Sequence, residues 1–114
     1  MTESEKILQT EYSNLFDELR KNRMIVSFYK YGALKTNAGD KLVNEIESLK
    51  LRLKKYESTG NTEFLIDIAN FAMMEFMYPQ HPKAFFKATD SDASPGLVGM
   101  SIMEIKRLKE EVDY

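Results

Sequence analysis

From Thr62 to about Met77 the chain carries Phe64, Leu65, Ile66, Ile68, Ala69, Phe71, Ala72, Met73, Met74, Phe76 and Met77, a run that is apolar nearly all round a helix. A surface helix would leave half of those side chains in water, so a segment of this kind belongs at the centre of a helical bundle or inside an oligomer interface. The few polar side chains on it are correspondingly informative. Glu63, Asp67 and Asn70 follow one another at spacings of four and three, which places them within about a 60° arc of the helix. No Lys or Arg occurs from Gly60 through Pro82, so the carboxylates have no cation on their own helix. A buried carboxylate without a counter-charge costs several kcal/mol, and the remedies are a basic residue from another helix or a bound cation.

The neighbouring segments supply the rest of a bundle. From Glu5 to about Arg20, Leu8, Tyr12, Leu15, Phe16 and Leu19 form one apolar stripe of an amphipathic helix, with Thr2 or Ser4 as its cap. Met24 to Tyr31 either continues that helix or forms a short second one, and Gly32 ends it. Between Asp40 and Tyr56, Leu42, Ile46, Leu49, Leu53 and Tyr56 make a narrow seam on a helix capped by Asn37. Ser58-Thr59-Gly60-Asn61 is a short stop, so this helix and the apolar one are expected to be antiparallel neighbours. A loop over about 78–99, rich in Pro and Gly, is longer than compact domains usually carry without a purpose. After it, Ser101 to Glu104 reads as the capping box of a closing helix with Ile105, Leu108 and Val112 on its apolar side. No strand pattern competes, and 114 residues make one domain, 1–114. The expected fold is all-α, a bundle of four to five helices.

Composition excludes several function classes. Sixteen Lys and Arg against eighteen Asp and Glu leave a net charge of −2, too balanced for wholesale adhesion to nucleic acid or an anionic membrane. With no cysteine, disulfides, thiolate nucleophiles and cysteine zinc sites are ruled out, and nothing marks an oxidising compartment. The first residues lack the basic start and apolar core of a signal peptide, and no apolar run approaches the ~20 residues of a membrane span. A soluble, cytoplasmic protein is expected. His81 is the single histidine and has no partner for zinc or for a catalytic triad. Asp90 and Asp92 have the alternate spacing of a calcium loop but lack its downstream Gly and Glu. Arg20-Lys21-Asn22-Arg23, followed by Phe28, Tyr29, Lys30 and Tyr31, mixes cations with aromatics as single-strand binders do, although helix capping and core packing explain it more simply.

Helical arithmetic puts Glu45 and Arg52 on one flank of the seam, at the border of the bundle interior, and turns Asp40, Asn44, Glu47 and Lys54 away from it. Glu45, Glu63 and Asp67 would offer hard oxygen ligands suited to magnesium, with Arg52 holding a phosphate through its planar fork. Two plainer readings of the same residues stand beside this one: Asp67 in an ion pair with Arg52, or a stripe that is the exposed edge of an otherwise buried helix.

The stretch Asn61 to Ala72, Asn-Thr-Glu-Phe-Leu-Ile-Asp-Ile-Ala-Asn-Phe-Ala, resembles the acid-x-x-x-Asp-x-Ala-Asn-aromatic-Ala helix of the nucleotide-modification-associated proteins. It is also similar to the Glu-x-x-x-Asp helix of the wider MazG-like all-α nucleotide pyrophosphohydrolases. Leu51-Arg52-Leu53 and Tyr31-Gly32 stand upstream in the order such proteins show, so the resemblance covers roughly residues 28 to 76. It implies a homo-oligomeric bundle that binds magnesium through acids of two helices and splits a nucleoside triphosphate into a monophosphate and pyrophosphate. Small proteins of this kind are frequent in phages. Glu63 and Asp67 match the second acidic helix and would be catalytic as well as metal-binding. Glu45 takes one place on the first helix, where Ser48 stands in the position of the family's second Glu. Arg52, Lys54 and Asn70 would contact substrate. The alternative reading is a non-catalytic helical interaction module acting through oligomerisation or a protein partner.

Overall fold

In the computed structural model, residues 1–89 are described, and the chain divides into two compact units, Met1–Ala84 and Phe85–Tyr114. The five helices among the described residues lie in the first: α1 (Glu3–Glu11), α2 (Asn14–Tyr31), α3 (Leu34–Asn37), α4 (Glu45–Thr59) and α5 (Glu63–Met77). The fold is all-α, a helical bundle, with no strand among the described residues. No helix among them is long and apolar enough to cross a membrane. The closing helix after Ser101, and the loop from Asp90 on, lie outside the described residues. Residues 78–89 form no helix; a turn at 81–83 is the one regular feature there.

The N-terminal helix expected from Glu5 to Arg20 is two helices. Thr2 caps α1 in a reciprocal box, its hydroxyl accepting from the Glu5 N–H while the Glu5 carboxylate accepts from the Thr2 N–H. Tyr12 then takes an extended conformation, and Ser13 starts α2 by accepting from the Phe16 N–H at 3.0 Å. A serine that satisfies an orphan N–H at a new helix start outweighs continuity of the apolar pattern. From there α2 runs unbroken through Met24 to Tyr31. Gly32, at φ 90°, ends it with its N–H on the Phe28 carbonyl.

The second predicted helix starts later than Asp40. Asn37 closes the single turn α3, where its amide donates to the Tyr31 carbonyl. The cap of α4 is Asn44, which accepts from the Glu47 N–H at 3.0 Å and so puts Glu45 in the first helical turn. Gly60, left-handed at φ 72°, ends α4 and returns the chain into α5. Arg52 meets Asp67, whereas Glu45, nearer the start of α4, shares a cavity with Met74, nearer the end of α5. The pair is therefore antiparallel, as expected. The same holds for α2, whose Arg20 meets Asn70 and Met73 while Arg23 meets Asp67 and Glu63. Helix α5 thus packs against both α2 and α4.

The faces that meet are rotated away from the apolar stripes, and of the α4 seam only Leu49 and Tyr56 lie on the inward side. On α4 the half-buried or buried positions are Glu45, Ser48, Leu49, Arg52 and Tyr56, and Leu42 before it, with Ile46 and Leu53 on it, are exposed. On α2 they are Asp17, Arg20, Met24 and Ser27, while Leu15, Leu19 and Val26 are exposed. The rotation follows from α5, which has no cation of its own: docking the Arg faces of α2 and α4 onto Asp67 supplies two. Its consequence is a sparse apolar core, in which Ala38 and Ile66 are the buried apolar residues among those described. Most apolar side chains of α5 are half-covered, and Phe76 and Met77 are exposed.

Candidate functional site: a polar cavity between α2, α4 and α5

Asp67 is the hub. Its side chain is 12% exposed, with Oδ1 accepting from Arg23 Nε at 3.2 Å and Oδ2 from Arg52 Nε at 3.3 Å. One carboxylate thus takes a guanidinium from each flanking helix, and Arg23 Nη1 extends the network to Glu63 Oε1 at 3.4 Å. The Arg52 guanidinium lies 5.9 Å from the centre of the Phe71 ring, which holds it in place by a cation–π contact. Beside the network, Asn70 is 3% exposed and donates its amide to the Arg20 carbonyl at 3.1 Å.

These residues line one side of a cavity of about 630 Å³, within the usual size range of ligand sites. Phe28, Tyr31 and Phe71 contribute aromatic walls, Arg23, Lys30 and Arg52 contribute cations, and Glu45 stands on the same lining as Asp67 and Asn70. The Lys30 ammonium rests over the Tyr31 ring, 5.4 Å from its centre.

Glu45 is the anomaly of the site. It is 0% exposed, and neither carboxylate oxygen has a hydrogen-bond partner among the described residues. Burial pushes its carboxyl above the ordinary glutamate range, partly offset by its own backbone N–H, and the nearby Glu75 charge adds a lesser push upward. Asn70 Oδ1 is likewise buried and unpartnered. Glu75 is satisfied at Oε1, which accepts from the N–H groups of Gln80 (2.8 Å) and His81 (3.3 Å), whereas its Oε2 is buried without a donor. His81 serves the turn after α5, with Nδ1 accepting from the Lys83 N–H.

The structure therefore brings Glu45, Arg52, Asp67 and Asn70 to one cavity, and leaves Glu63 exposed on a separate groove between α2 and the start of α5 and Lys54 on the exposed side of α4. The three proposed magnesium ligands do not form a ligand set. Both Asp67 oxygens are committed to arginines, Glu63 pairs with Arg23, and no group of three or more metal-ligating side chains occurs among the described residues. The Arg52 ion pair anticipated from the sequence is present; Arg23 is the partner that sequence reasoning missed. Its signal was the continuation of α2 beyond Arg20, which puts Arg20, Arg23 and Ser27 on one side of a single helix.

No known protein family, curated protein or solved structure matches the chain.

Proposed function

We propose that this chain binds a nucleotide in the cavity between α2, α4 and α5. The supporting observation is the combination there of aromatic walls, cations from two helices and buried acceptors that lack donors. Phosphates suit Lys30 and the outward edges of Arg23 and Arg52, and the aromatic walls suit a heterocycle. This agrees with the MazG-like resemblance for binding but not for metal-dependent hydrolysis. Asp67 gives its two oxygens to Arg23 and Arg52 and is not available as a magnesium ligand. Titration with a panel of nucleoside triphosphates, with and without magnesium, tests the reading. Thermal stabilisation by at least one nucleotide without pyrophosphate release is the expected result. Absence of stabilisation by every nucleotide defeats the reading, and pyrophosphate release restores the hydrolase.

A second reading, self-association, is favoured by a separate observation. Leu15, Leu19 and Val26 of α2 are 69%, 46% and 57% exposed and, with Phe16 and Ile66, line an apolar groove beside the start of α5. Monomeric proteins seldom leave such a stripe uncovered. A helix from a second copy of the chain fits it, because Leu15, Leu19, Asn22 and Val26 alternate steps of four and three, the spacing of a coiled-coil seam. Sedimentation of the purified chain tests this, with a dimer or higher species expected and a monomer at all concentrations excluding it.

A further inference from the structure

We infer that the occupant of the α2 seam is the same helix of a second copy, lying parallel and in register so that Asn22 faces its counterpart. The inference rests on the self-association reading above and gives it an orientation. The seam runs further than the groove: Tyr29, three residues beyond Val26, is 84% exposed and continues the alternation of Leu15, Leu19, Asn22 and Val26. It covers most of α2, about 21 Å of helix. Docking on α5 uses other residues, Asp17, Arg20, Met24 and Ser27, which are half-buried while the seam stays exposed. Because α2 is already held by α5, pairing along the seam does not carry the cost of nucleating an isolated helix.

Two features of the seam separate the parallel from the antiparallel arrangement. Parallel pairing sets each seam residue against its own counterpart, so two Asn22 amides meet, and each both donates and accepts. Antiparallel pairing sets Asn22 against Leu19 or Val26 of the second copy and leaves its amide desolvated without a partner. Charge points the same way. Glu18 precedes Leu19 on one flank of the seam, Arg23 follows Asn22 on the other, and both are exposed. In a parallel pair a flank residue faces the one five positions later on the other helix, so Glu18 of each copy meets Arg23 of the other. Antiparallel pairing sets each flank against the same flank and keeps Glu18 away from Arg23. Within its own chain Arg23 directs Nε to Asp67 and Nη1 to Glu63, which leaves Nη2 for the second copy. Exposed ion pairs add little strength; with the Asn22 pair, they supply a preference between orientations.

The chain has no cysteine, so single substitutions report the arrangement directly. Mild oxidation of the full chain bearing Leu15→Cys, of the full chain bearing Val26→Cys, and of their equimolar mixture reads the orientation, with mass identifying each covalent product. Parallel pairing holds like positions together. Antiparallel pairing moves the two copies of position 15 more than about 15 Å apart, beyond the ~7 Å reach of a disulfide. We expect a self-bridged dimer from each variant alone and no product joining position 15 to position 26 in the mixture. With Asn22→Leu added to both, that mixed product is expected to appear, and its continued absence overturns the role given to Asn22. A mixed product with Asn22 intact, or a sedimenting dimer that bridges at neither position, overturns the parallel assignment and leaves self-association standing. Sedimentation of the unaltered chain needs no variant, and a monomer at all concentrations overturns self-association and its orientation together.

Discussion

Arg23 and Asp67 lie 44 residues apart in sequence and meet with Nε 3.2 Å from Oδ1. That contact, completed by Arg52 on the other carboxylate oxygen, fastens α2 and α4 to the helix between them. Charge thus does part of the work that apolar side chains do in most bundles. Each pair taken alone is partly exposed on its arginine side and would contribute little. Two guanidiniums on one nearly buried carboxylate behave differently, because removing the carboxylate leaves two like charges facing each other.

Asp67→Ala is therefore expected to destabilise the fold by about 1–3 kcal/mol, more than Arg23→Ala, which leaves Asp67 its Arg52 partner. The vacated position should act as an anion site. Millimolar sulfate or phosphate is expected to restore a larger part of the lost stability in Asp67→Ala than it adds to the native chain. Urea unfolding with and without sulfate measures this, and equal responses of the two proteins would show that the guanidiniums do not converge.

Glu45 gives the fold an unusual dependence on pH. Its carboxyl is raised in the folded chain, so the folded state holds a proton that the unfolded state has already released. Stability contributed by the neutral form is present below the ordinary glutamate range and is lost as pH rises through it toward the raised value. Glu45→Gln should remove that descending limb and exceed the native chain in stability by about 1 kcal/mol at neutral pH. Denaturation curves from pH 4 to 8 would contradict this if the two proteins kept parallel profiles.

Much of this was legible in the sequence, and the failures share a cause. Periodicity located the apolar helix α5, its antiparallel partner α4 and their glycine stop, because the 3.6-residue repeat and a left-handed Gly60 are local properties. The carboxylate at Asp67 and its Arg52 partner were legible for the same reason: a helix without cations must borrow one. What periodicity could not decide was which stripe of α2 and α4 turns inward. The apolar seam of Leu42, Ile46, Leu49, Leu53 and Tyr56 shares Leu49 and Tyr56 with the face that turns inward, which otherwise carries Glu45, Ser48 and Arg52, and the charge demand of a third helix set that rotation. The break at Tyr12 and Ser13 and the late start at Asn44 were missed similarly, since a cap changes a helix boundary without changing its stripe. Neither the commitment of both Asp67 oxygens to arginines nor the unpartnered state of Glu45 was visible without coordinates.

Asn70 is expected to be a docking residue as well as a cavity wall. Its amide reaches the Arg20 carbonyl across the α2–α5 interface at 3.1 Å. Asn70→Ala should cost about 1–2 kcal/mol by removing that bond and opening a small void. Asn70→Asp should cost more at neutral pH, because a carboxylate there sets an acceptor against the carbonyl. Hydrogen exchange locates the effect: protection should fall first in α2, and a uniform loss across all helices would argue against a local docking role.

The exposed stripe on α2 carries the last expectation. Leu19 and Val26 are separated by two helical turns on the groove that also includes Arg23 and Ile66. A charge at either position should leave the monomer fold intact, since both residues are already about half exposed, and should prevent a second copy from seating there. Leu19→Glu and Val26→Glu are each expected to shift sedimentation toward the monomer and to remove any dependence of the melting temperature on protein concentration. Arg23 and Glu63 both border this groove, so a Glu placed there meets a cation and a carboxylate together. Unchanged association in both variants would move the interface off α2, and α4, with Ile46 and Leu53 exposed on its outer side, would be the face to alter next.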